Sequence, residues 1–314
     1  MSGTPSDVAN RLIASLEAGA EIVDRGEFTI DATKARDKLR DYQLADPDAW
    51  VLLVVELATL LGAKAVYFDY TEPRLTQIRF RSPGLAREEL AEPLAGVFAS
   101  TEAGRASERA RRRAWQKLAI ATNALLGRAE RVEMTCLDDA GKGPRVRWAG
   151  EAFELDELAL DPEQSGNALL VGFADERHVE RETALLRRAC RCSPILVMAG
   201  SEKLSQGWKA MFQSTRRRDD DSPAPEVPTF TIRDDDFRAL GLAAKLHSRE
   251  PARVRIQTNA VFAEDIELEG LRKGFAAIVD LDLARDLSQS QVLRDEAFDR
   301  TIALVRAAHD QIHR

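Results

Sequence analysis

The sequence predicts an α+β protein of two domains, and three observations lead to this fold class. An almost wholly apolar helix runs straight into a strand over residues 46–70, in the segment DPDAWVLLVVELATLLGAKAVYFDY. Helices and strands mix along the chain without strict alternation, which favours a largely antiparallel or mixed sheet covered by helices. The 314 residues are enough for two domains that each bury a core of their own.

Hydrophobic spacing and turn residues place the elements of the first half. The apolar helix begins at Asp46 and Pro47, which suit an N-cap and a first turn, and ends before Gly62, which suits a left-handed C-terminal cap. In its body only Glu56 and Thr59 are polar, so we expect the helix to be buried. Around it, the sequence predicts helix 7–24, strand 28–30, helix 31–42, strands 64–70 and 75–81, helices 86–99 and 105–126, a hairpin of strands 131–137 and 144–150, and strand 168–174.

The second half is predicted to form a smaller domain that contains a charged linker. Residues 214–228 (STRRRDDDSPAPEVP) are rich in charge and proline and are expected to be mobile. The predicted elements are helices 178–190, 235–246 and 291–312 and strands 194–198, 229–232, 253–262 and 274–281. We therefore divide the chain into an N-terminal helix (1–26), a main domain (27–177) and a small α/β domain (178–314).

Composition narrows the class of function. Hydrophobic residues make up 44% and charged residues 31% of the chain, and the net charge is −7. An acidic chain has little general affinity for nucleic acid or for anionic membranes. Three cysteines, no basic and apolar leader at the N-terminus and no uncharged apolar run of about 20 residues together predict a soluble cytoplasmic protein.

A set of segments carries a resemblance to a known superfamily. They are the apolar helix, its Gly62-Ala63 exit, the strand KAVYFDY, the turn RSPGLAREEL and the segment WQKLAIATNALLGRAERVEM. Over residues 27–175 these resemble the ATPase domain of the GHKL superfamily, which includes heat-shock-ninety chaperones, MutL-type repair proteins, type II topoisomerase ATPase subunits and histidine kinases. Residues 184–200 and 274–305 look like the small α/β domain that follows the ATPase domain in heat-shock-ninety chaperones. The resemblance implies a two-layer α/β sandwich of GHKL type followed by a smaller α/β domain.

The resemblance also implies that the buried helix is the one that carries catalytic residues in an active ATPase. In the superfamily this helix bears a carboxylate and, one turn later, an asparagine that binds magnesium. Alignment on the Gly-Ala exit puts Leu53 and Leu57 at these two positions, and the register that makes Glu56 the carboxylate puts Leu60 at the asparagine. Leucine cannot replace a hard oxygen ligand, so neither register supplies a magnesium site.

The nucleotide motifs that follow are also incomplete. Ser82 stands where the superfamily has an adenine-binding aspartate, and Ala86 replaces one of two glycines, whereas Gly84 can stand for the other. Gly166 and Asn167 loosely match a third motif in which threonine is usual. Helix-prone residues (TEAGRASERARRRAWQK) replace the glycine-rich lid. We therefore expect no bound ATP or magnesium. If a nucleotide site is retained, its residues would be Glu56, Gly84 and Gly166.

A basic run occupies the stretch where that lid is expected. On a helix its members spread around more than half of the circumference, so a solvated face is the simpler interpretation and a partner-binding patch is the alternative. The members are Arg105, Arg109, Arg111, Arg112, Arg113 and Lys117.

The remaining cysteine, histidine and aspartate clusters are expected to have structural roles and not to bind metal or take part in catalysis. Cys190 and Cys192 lack the further ligands of a zinc site, and His309 and His313 suit a helix C-terminus. The acidic run 234–236 suits the N-cap of the helix predicted after it. We predict no metal site and no catalytic residue.

These observations favour a non-catalytic protein of GHKL type. Its predicted role is a protein–protein interaction scaffold or chaperone-like component, with another protein as its partner. One alternative is a diverged ATPase that uses Glu56 with non-standard ligands, and a second is nucleic-acid contact through helix 105–117. The sequence specifies neither the partner nor the oligomeric state.

Overall fold

The computed structural model of the chain describes residues 21–22, 28–29, 44–91, 105–149, 152–175, 179–213, 227–246, 249–286 and 289–314. The predicted helix 31–42 lies outside these ranges, as do most of the linker 214–228 and most of helices 7–24 and 86–99.

The first described element is a pair of short strands. β1 (Glu21–Ile22) and β2 (Phe28–Thr29) are antiparallel neighbours. The strand predicted at 28–30 is confirmed, whereas the helix predicted over 7–24 is wrong at residues 21–22.

The first domain is a mixed eight-stranded sheet with helices packed on one face. Its strands are β3 (Ala65–Glu72), β4 (Leu75–Phe80), β5 (Ala129–Leu137), β6 (Lys142–Ala149), β7 (Ala152–Ala159), β8 (Gly166–Phe173), β9 (Leu196–Ala199) and β10 (Glu202–Lys203). They lie in the order β10-β9-β3-β4-β8-β5-β6-β7, and every neighbouring pair is antiparallel except β3 with β9. The helices are α1 (Trp50–Leu60), α2 (Arg87–Ala91), α3 (Ala106–Leu126) and α4 (Val179–Cys190). Because β9 and β10 belong to this sheet, the sheet continues beyond residue 177, where the sequence placed a domain boundary.

Helix α1 is the centre of the first core, as its apolar sequence predicts. Trp50, Val54 and Leu57 have no exposed surface, and burial of each such side chain contributes about 1.5–3 kcal/mol to stability. Asp46 caps the short 3₁₀ turn that leads into the helix, since its Oδ1 accepts from the backbone N–H of Asp48 at 3.0 Å. The predicted left-handed glycine is confirmed at Gly62, whose φ is +85°.

The second domain is a five-stranded sheet with one long helix packed on it. Its elements are β11 (Thr229–Arg233), β12 (Ala239–Lys245), β13 (Arg253–Thr258), β14 (Val261–Ile266), β15 (Phe275–Leu281) and α5 (Glu296–Ile312). The strand order is β11-β12-β15-β13-β14, and β13 with β15 is the parallel pair. Its core is built from buried residues of the central strands and α5, including Val254, Phe275 and Val305.

The helix predicted over 235–246 is wrong, because this segment forms a turn and strand β12. The alanine-rich sequence ALGLAAK favours a helix locally. In the structure β12 is hydrogen-bonded between β11 and β15, and a Cβ on Gly241 would lie 1.9 Å from the Ile278 carbonyl oxygen. Strand pairing and this close backbone approach override the local preference.

Two further differences concern strands. The sequence did not predict β7 (AFELDELA), whose alternating carboxylates are typical of an exposed edge strand. The single strand predicted over 253–262 is a hairpin, because Asn259 and Ala260 adopt φ values of 52° and 73° and form a two-residue turn.

The turn between β11 and β12 also differs from its prediction. Asp234 does not cap a helix, since its Oδ1 accepts from the backbone N–H of Arg238 at 2.8 Å and closes the hairpin. Phe237 in this turn has a φ of 61°, a left-handed conformation that costs a residue with a Cβ about 1–2 kcal/mol.

In the described part of the chain, no helix combines the length and apolar character that are needed to cross a membrane.

Candidate functional site

A cluster of buried charges around Glu56 joins the two domains. The Glu56 carboxylate lies 2.7 Å from Lys117 Nζ and 3.1 Å from Arg285 Nη2. Glu56 has no exposed surface, and only 9% and 8% of the two cationic side chains is exposed. Because α1 and α3 supply Glu56 and Lys117 while Arg285 follows the last strand of the second sheet, these ion pairs bridge the domains. We call Glu56, Lys117 and Arg285, together with the polar side chains that contact them, the ion cluster.

Neutral side chains of the second domain complete the coordination of the two cations. Lys117 Nζ donates to Gln289 Oε1 at 2.7 Å. Arg285 Nε donates to Thr258 Oγ1 at 2.9 Å, and Arg285 Nη2 also contacts this oxygen. Both cations that pair with Glu56 are therefore held in place by side chains of the second domain.

Two more carboxylates of the second domain lie beside this group. Asp282 accepts from Arg113 Nη1 at 2.9 Å and from Asn259 Nδ2 at 3.1 Å. Asp280 is half-buried, and both of its oxygens accept from the backbone N–H of Ala260 at 3.0 Å. The cluster therefore continues from helix α3 to the turn between β13 and β14.

Burial changes the acid–base behaviour of the cluster. It raises the pKa of Asp280 to about 7, and the neighbouring negative charge of Glu56 acts in the same direction. Burial also lowers the pKa of Lys117, although Glu56 beside it acts in the opposite direction. A buried ion pair adds little net stability, but removal of one partner leaves an uncompensated charge. Loss of any one of these charges is therefore expected to weaken the contact between the domains.

The positions aligned with the ATPase carboxylate and asparagine lie in apolar surroundings. Leu53 is 2% exposed and packs with Ile120 and Ala121 of α3. Leu57 has no exposed surface and belongs to the main core of the first domain. Neither position can present an oxygen atom to a ligand.

The structure brings together the other predicted nucleotide residues. Asn167 Nδ2 donates to the carbonyl oxygen of Ser82 at 2.9 Å and to its Oγ at 3.1 Å. Gly84 lies against this pair, because a Cβ there would be 2.9 Å from Asn167 Oδ1 and 2.6 Å from Cys136 Cβ. Gly166 adopts a φ of +112° at the start of β8.

Ser82, Gly84, Cys136 and Gly166 border a cleft of about 630 Å³. The other described residues of its wall are Arg81, Pro83, Leu85, Leu137, Asp138, Asp139, Lys142, Gly143, Pro144 and Ser165. Glu56 is not part of this wall, so the structure separates the helix carboxylate from the two glycines. Burial raises the pKa of the Cys136 thiol to about 12, so the cleft holds no activated thiolate at neutral pH.

The basic run of α3 does not form one cationic surface. Arg111 makes a two-pronged ion pair with Glu89 of α2, with Nε–Oε1 and Nη2–Oε2 distances of 2.9 and 2.7 Å. Arg113 and Lys117 face the ion cluster instead. The basic run is therefore divided between separate contacts, and the alternative of a partner-binding patch stays a prediction.

The histidine and cysteine pairs are placed as structural residues. The His309 ring packs edge-on against Phe275 at 5.2 Å and lies 4.7 Å from the His313 ring. Cys190 and Cys192 are buried as free thiols. Among the residues that the structure describes, no three His, Cys, Asp or Glu side chains are grouped so that they could hold a metal ion.

Sequence reasoning missed Arg285, Gln289, Asp280 and Asp282 as members of a site. Each comes from a loop or strand end of the second domain, where no local motif marks it. The available signal was the lone carboxylate in an otherwise apolar buried helix, because a buried charge requires a partner.

Comparisons with known proteins identify the fold. No family model matches the chain, and no curated protein matches it. Among solved structures, the B subunit of DNA gyrase from Myxococcus xanthus is similar, with a TM-score of 0.56 and 12% identity over 90% of this chain and 95% of that chain. The chain has a GHKL-type fold, an α/β sandwich followed by a smaller sheet domain, and the predicted fold class is confirmed. The likeness shows the fold alone and gives no support to features particular to heat-shock-ninety chaperones.

Proposed function

We propose that this protein is a GHKL-fold protein that does not hydrolyse ATP and that acts through contact with another protein, as a scaffold or chaperone-like component. One observation carries the proposal. Glu56 is the sole carboxylate of α1, and it is enclosed by Lys117 and Arg285 rather than exposed to the cleft.

The environment of Glu56 argues against a catalytic role. A general base has to come within hydrogen-bond reach of its substrate, directly or through one water. Exposure of Glu56 to a nucleotide would break both ion pairs, and loss of a partner from a buried pair costs about 3–5 kcal/mol. With leucines at the positions of the metal ligands, no described residue of α1 could hold magnesium there.

The junction between the domains supports a scaffold. Ala260 and Val261 of the second domain belong to the same hydrophobic core as α1. Together with the ion cluster, this shared core favours one fixed arrangement of the domains. Such an arrangement suits a protein that presents a constant surface to a partner.

Calorimetric titration with Mg-ATP and with Mg-ADP tests the absence of nucleotide binding. We expect no heat of binding at protein concentrations of tens of micromolar, so a Kd at or below about 50 µM, equivalent to roughly −6 kcal/mol, would overturn the proposal.

Phosphate release tests the absence of hydrolysis, with Glu56→Gln as the matched variant. We expect the wild type and the variant to release phosphate at the same background rate. The competing proposal is a diverged ATPase, which the retained cleft beside Gly84 and Gly166 favours. It requires release above background that Glu56→Gln abolishes while the circular dichroism spectrum stays unchanged.

A further inference from the structure

The turn between β11 and β12 presents an aromatic side chain to solvent. Phe237 is 79% exposed, more than any other large apolar residue in the described ranges. Its left-handed backbone favours glycine or asparagine, and its exposure favours a polar residue. It follows Asp235 and Asp236, which are both exposed. Neither the turn nor a core explains a phenylalanine here, which points to contact with another surface.

Hydrogen bonds hold this turn in one conformation. The backbone N–H of Phe237 donates to the Asp234 carbonyl at 3.0 Å, and Asp234 Oδ1 accepts from the Arg238 backbone at 2.8 Å. Arg233 at the base of the turn donates from Nη1 to the Phe237 carbonyl at 2.7 Å. Little backbone freedom of the turn remains to be lost on binding, which favours association. We call residues 234–237 the acidic tip.

The face of the eight-stranded sheet opposite α1 and α3 carries a groove of about 870 Å³. Ala168 of β8 lines the groove with a short side chain and lies between Arg79 of β4 and Thr135 of β5 in the strand register. Tyr67 and Leu160 line it with exposed apolar surface, at 45% and 41% exposure. A concave site of this volume with apolar lining is of the size that accepts a few side chains. We call it the sheet-face groove.

The charges at the groove favour an acidic occupant. Arg79 and Arg81 are exposed and make no direct ion pair with any described residue, although Asp69 lies near enough to Arg79 for their charges to attract, and we call them the groove arginines. The other lining charges are mostly paired, Arg145 with Asp156 and Glu133 with a neighbouring arginine. Glu163 at the outer loop remains as an exposed carboxylate, so the unpaired groups are two cations and one anion.

We propose that the acidic tip of one copy of this chain docks in the sheet-face groove of a second copy. Phe237 would contact Tyr67 and Leu160, and the two aspartates of the tip would face the groove arginines. Apolar and charge complementarity both come from surfaces of the same chain, which carries a net charge of −7 as a whole. This inference rests on the proposed function in protein contact and identifies the partner as a second copy of the chain. It does not depend on the loss of ATP binding.

Sedimentation velocity over about 1–200 µM protein, at low and at physiological salt, tests the docking. We expect self-association that weakens as salt rises. Phe237→Ala and the double variant R79E/R81E should each weaken it by about 10-fold or more. Leu293→Ala removes an exposed leucine that lies outside both surfaces and should leave the association unchanged.

A charge exchange separates docking from damage to the fold. The variants D235R/D236R and R79E/R81E should each associate poorly alone, whereas an equimolar mixture should associate, because the reversed tip matches the reversed groove. The proposal is overturned if the wild type stays monomeric over the whole range, if Phe237→Ala and R79E/R81E associate like the wild type, or if the mixture does not associate.

A photo-cross-link locates the contact. With p-benzoylphenylalanine at position 237, irradiation of a mixture of isotopically light and heavy protein should yield a dimer cross-linked between copies at the segments of Tyr67 or Leu160. Cross-links to any other segment overturn the proposed site. A monomeric protein leaves the nucleotide titration unaffected, and the cross-links are recorded without nucleotide, so the two proposals fail separately.

Discussion

The ion cluster and the sheet-face groove both contain basic side chains, but the environments of these side chains are opposite. In the cluster, Lys117 and Arg285 are almost fully buried and each lies against Glu56. In the groove, Arg79 and Arg81 are exposed and make no direct ion pair with the described residues. A buried charge needs a partner within the chain, whereas an exposed charge stays solvated until another molecule replaces the water. Burial therefore decides which charges hold the domains together and which remain available for a partner.

The largest effect that tests this contrast comes from loss of one buried cation. Lys117→Met keeps the volume of the side chain but leaves Glu56 poorly compensated, so the free energy of unfolding should fall by about 3–5 kcal/mol in urea denaturation. Arg79→Met in the groove is the control and should change it by no more than about 0.5 kcal/mol. Equal effects of the two variants would contradict the contrast.

The second effect is a pH dependence that comes from Asp280. Its pKa of about 7 in the folded protein exceeds the usual value for aspartate, so the folded state binds this proton more tightly than the unfolded chain does. The contribution of Asp280 is therefore most favourable at low pH, and it falls as the pH rises from about 4 to about 7.

Asp280→Asn should remove this dependence of stability on pH. In urea denaturation, the free energy of unfolding of the variant relative to the wild type should rise by about 2–4 kcal/mol between pH 4 and pH 8. The amide of this variant would still offer one oxygen to the Ala260 backbone. A constant difference between the two proteins across this range would show that Asp280 does not hold its proton as described.

A third effect tests the packing of the cleft that contains Gly84. Gly84→Ala places a Cβ 2.6 Å from Cys136 Cβ, and the resulting overpacking should lower the free energy of unfolding by about 1–3 kcal/mol. Gly172→Ala is the matched control, because its nearest contact is an ordinary 3.6 Å to Arg131 Cβ. A neutral Gly84→Ala would mean that the cleft is looser than the structure shows.

The smallest effect is a gain at the acidic tip. Phe237→Asn places a residue that tolerates the left-handed region at a φ of 61°, so the free energy of unfolding should rise by about 1 kcal/mol. Phe153→Asn, at an exposed position of strand β7, should bring no such gain. A loss of stability in Phe237→Asn would show that the aromatic ring supports the fold of its own chain.

Local patterns predicted much of the fold because they depend on neighbours along the chain. The run from Asp46 to Gly62 contains its own caps and its own apolar body, and helix α1 appears where they predict it. The hairpin β5–β6 likewise follows from two strand-like segments around a glycine-containing turn. Strand β12 was predicted as a helix, because its alanines favour a helix and only its neighbours β11 and β15 make it a strand.

The candidate site was predictable only in part. Gly84 and Gly166 border one cleft, whereas Glu56, which the prediction grouped with them, is not part of its wall. The partners of Glu56 were not predicted, because Lys117 and Arg285 lie on distant parts of the chain with no motif that links them.

The sequence by itself determined that α1 is buried and that it carries a single carboxylate, since both follow from the order of residues in one helix. Only the tertiary structure decided what that carboxylate does. A buried charge is stable only beside a partner, and the packing of the second domain against α1 and α3 supplies Arg285 while α3 supplies Lys117. The role of Glu56 therefore depends on the contact between domains rather than on the helix that carries it.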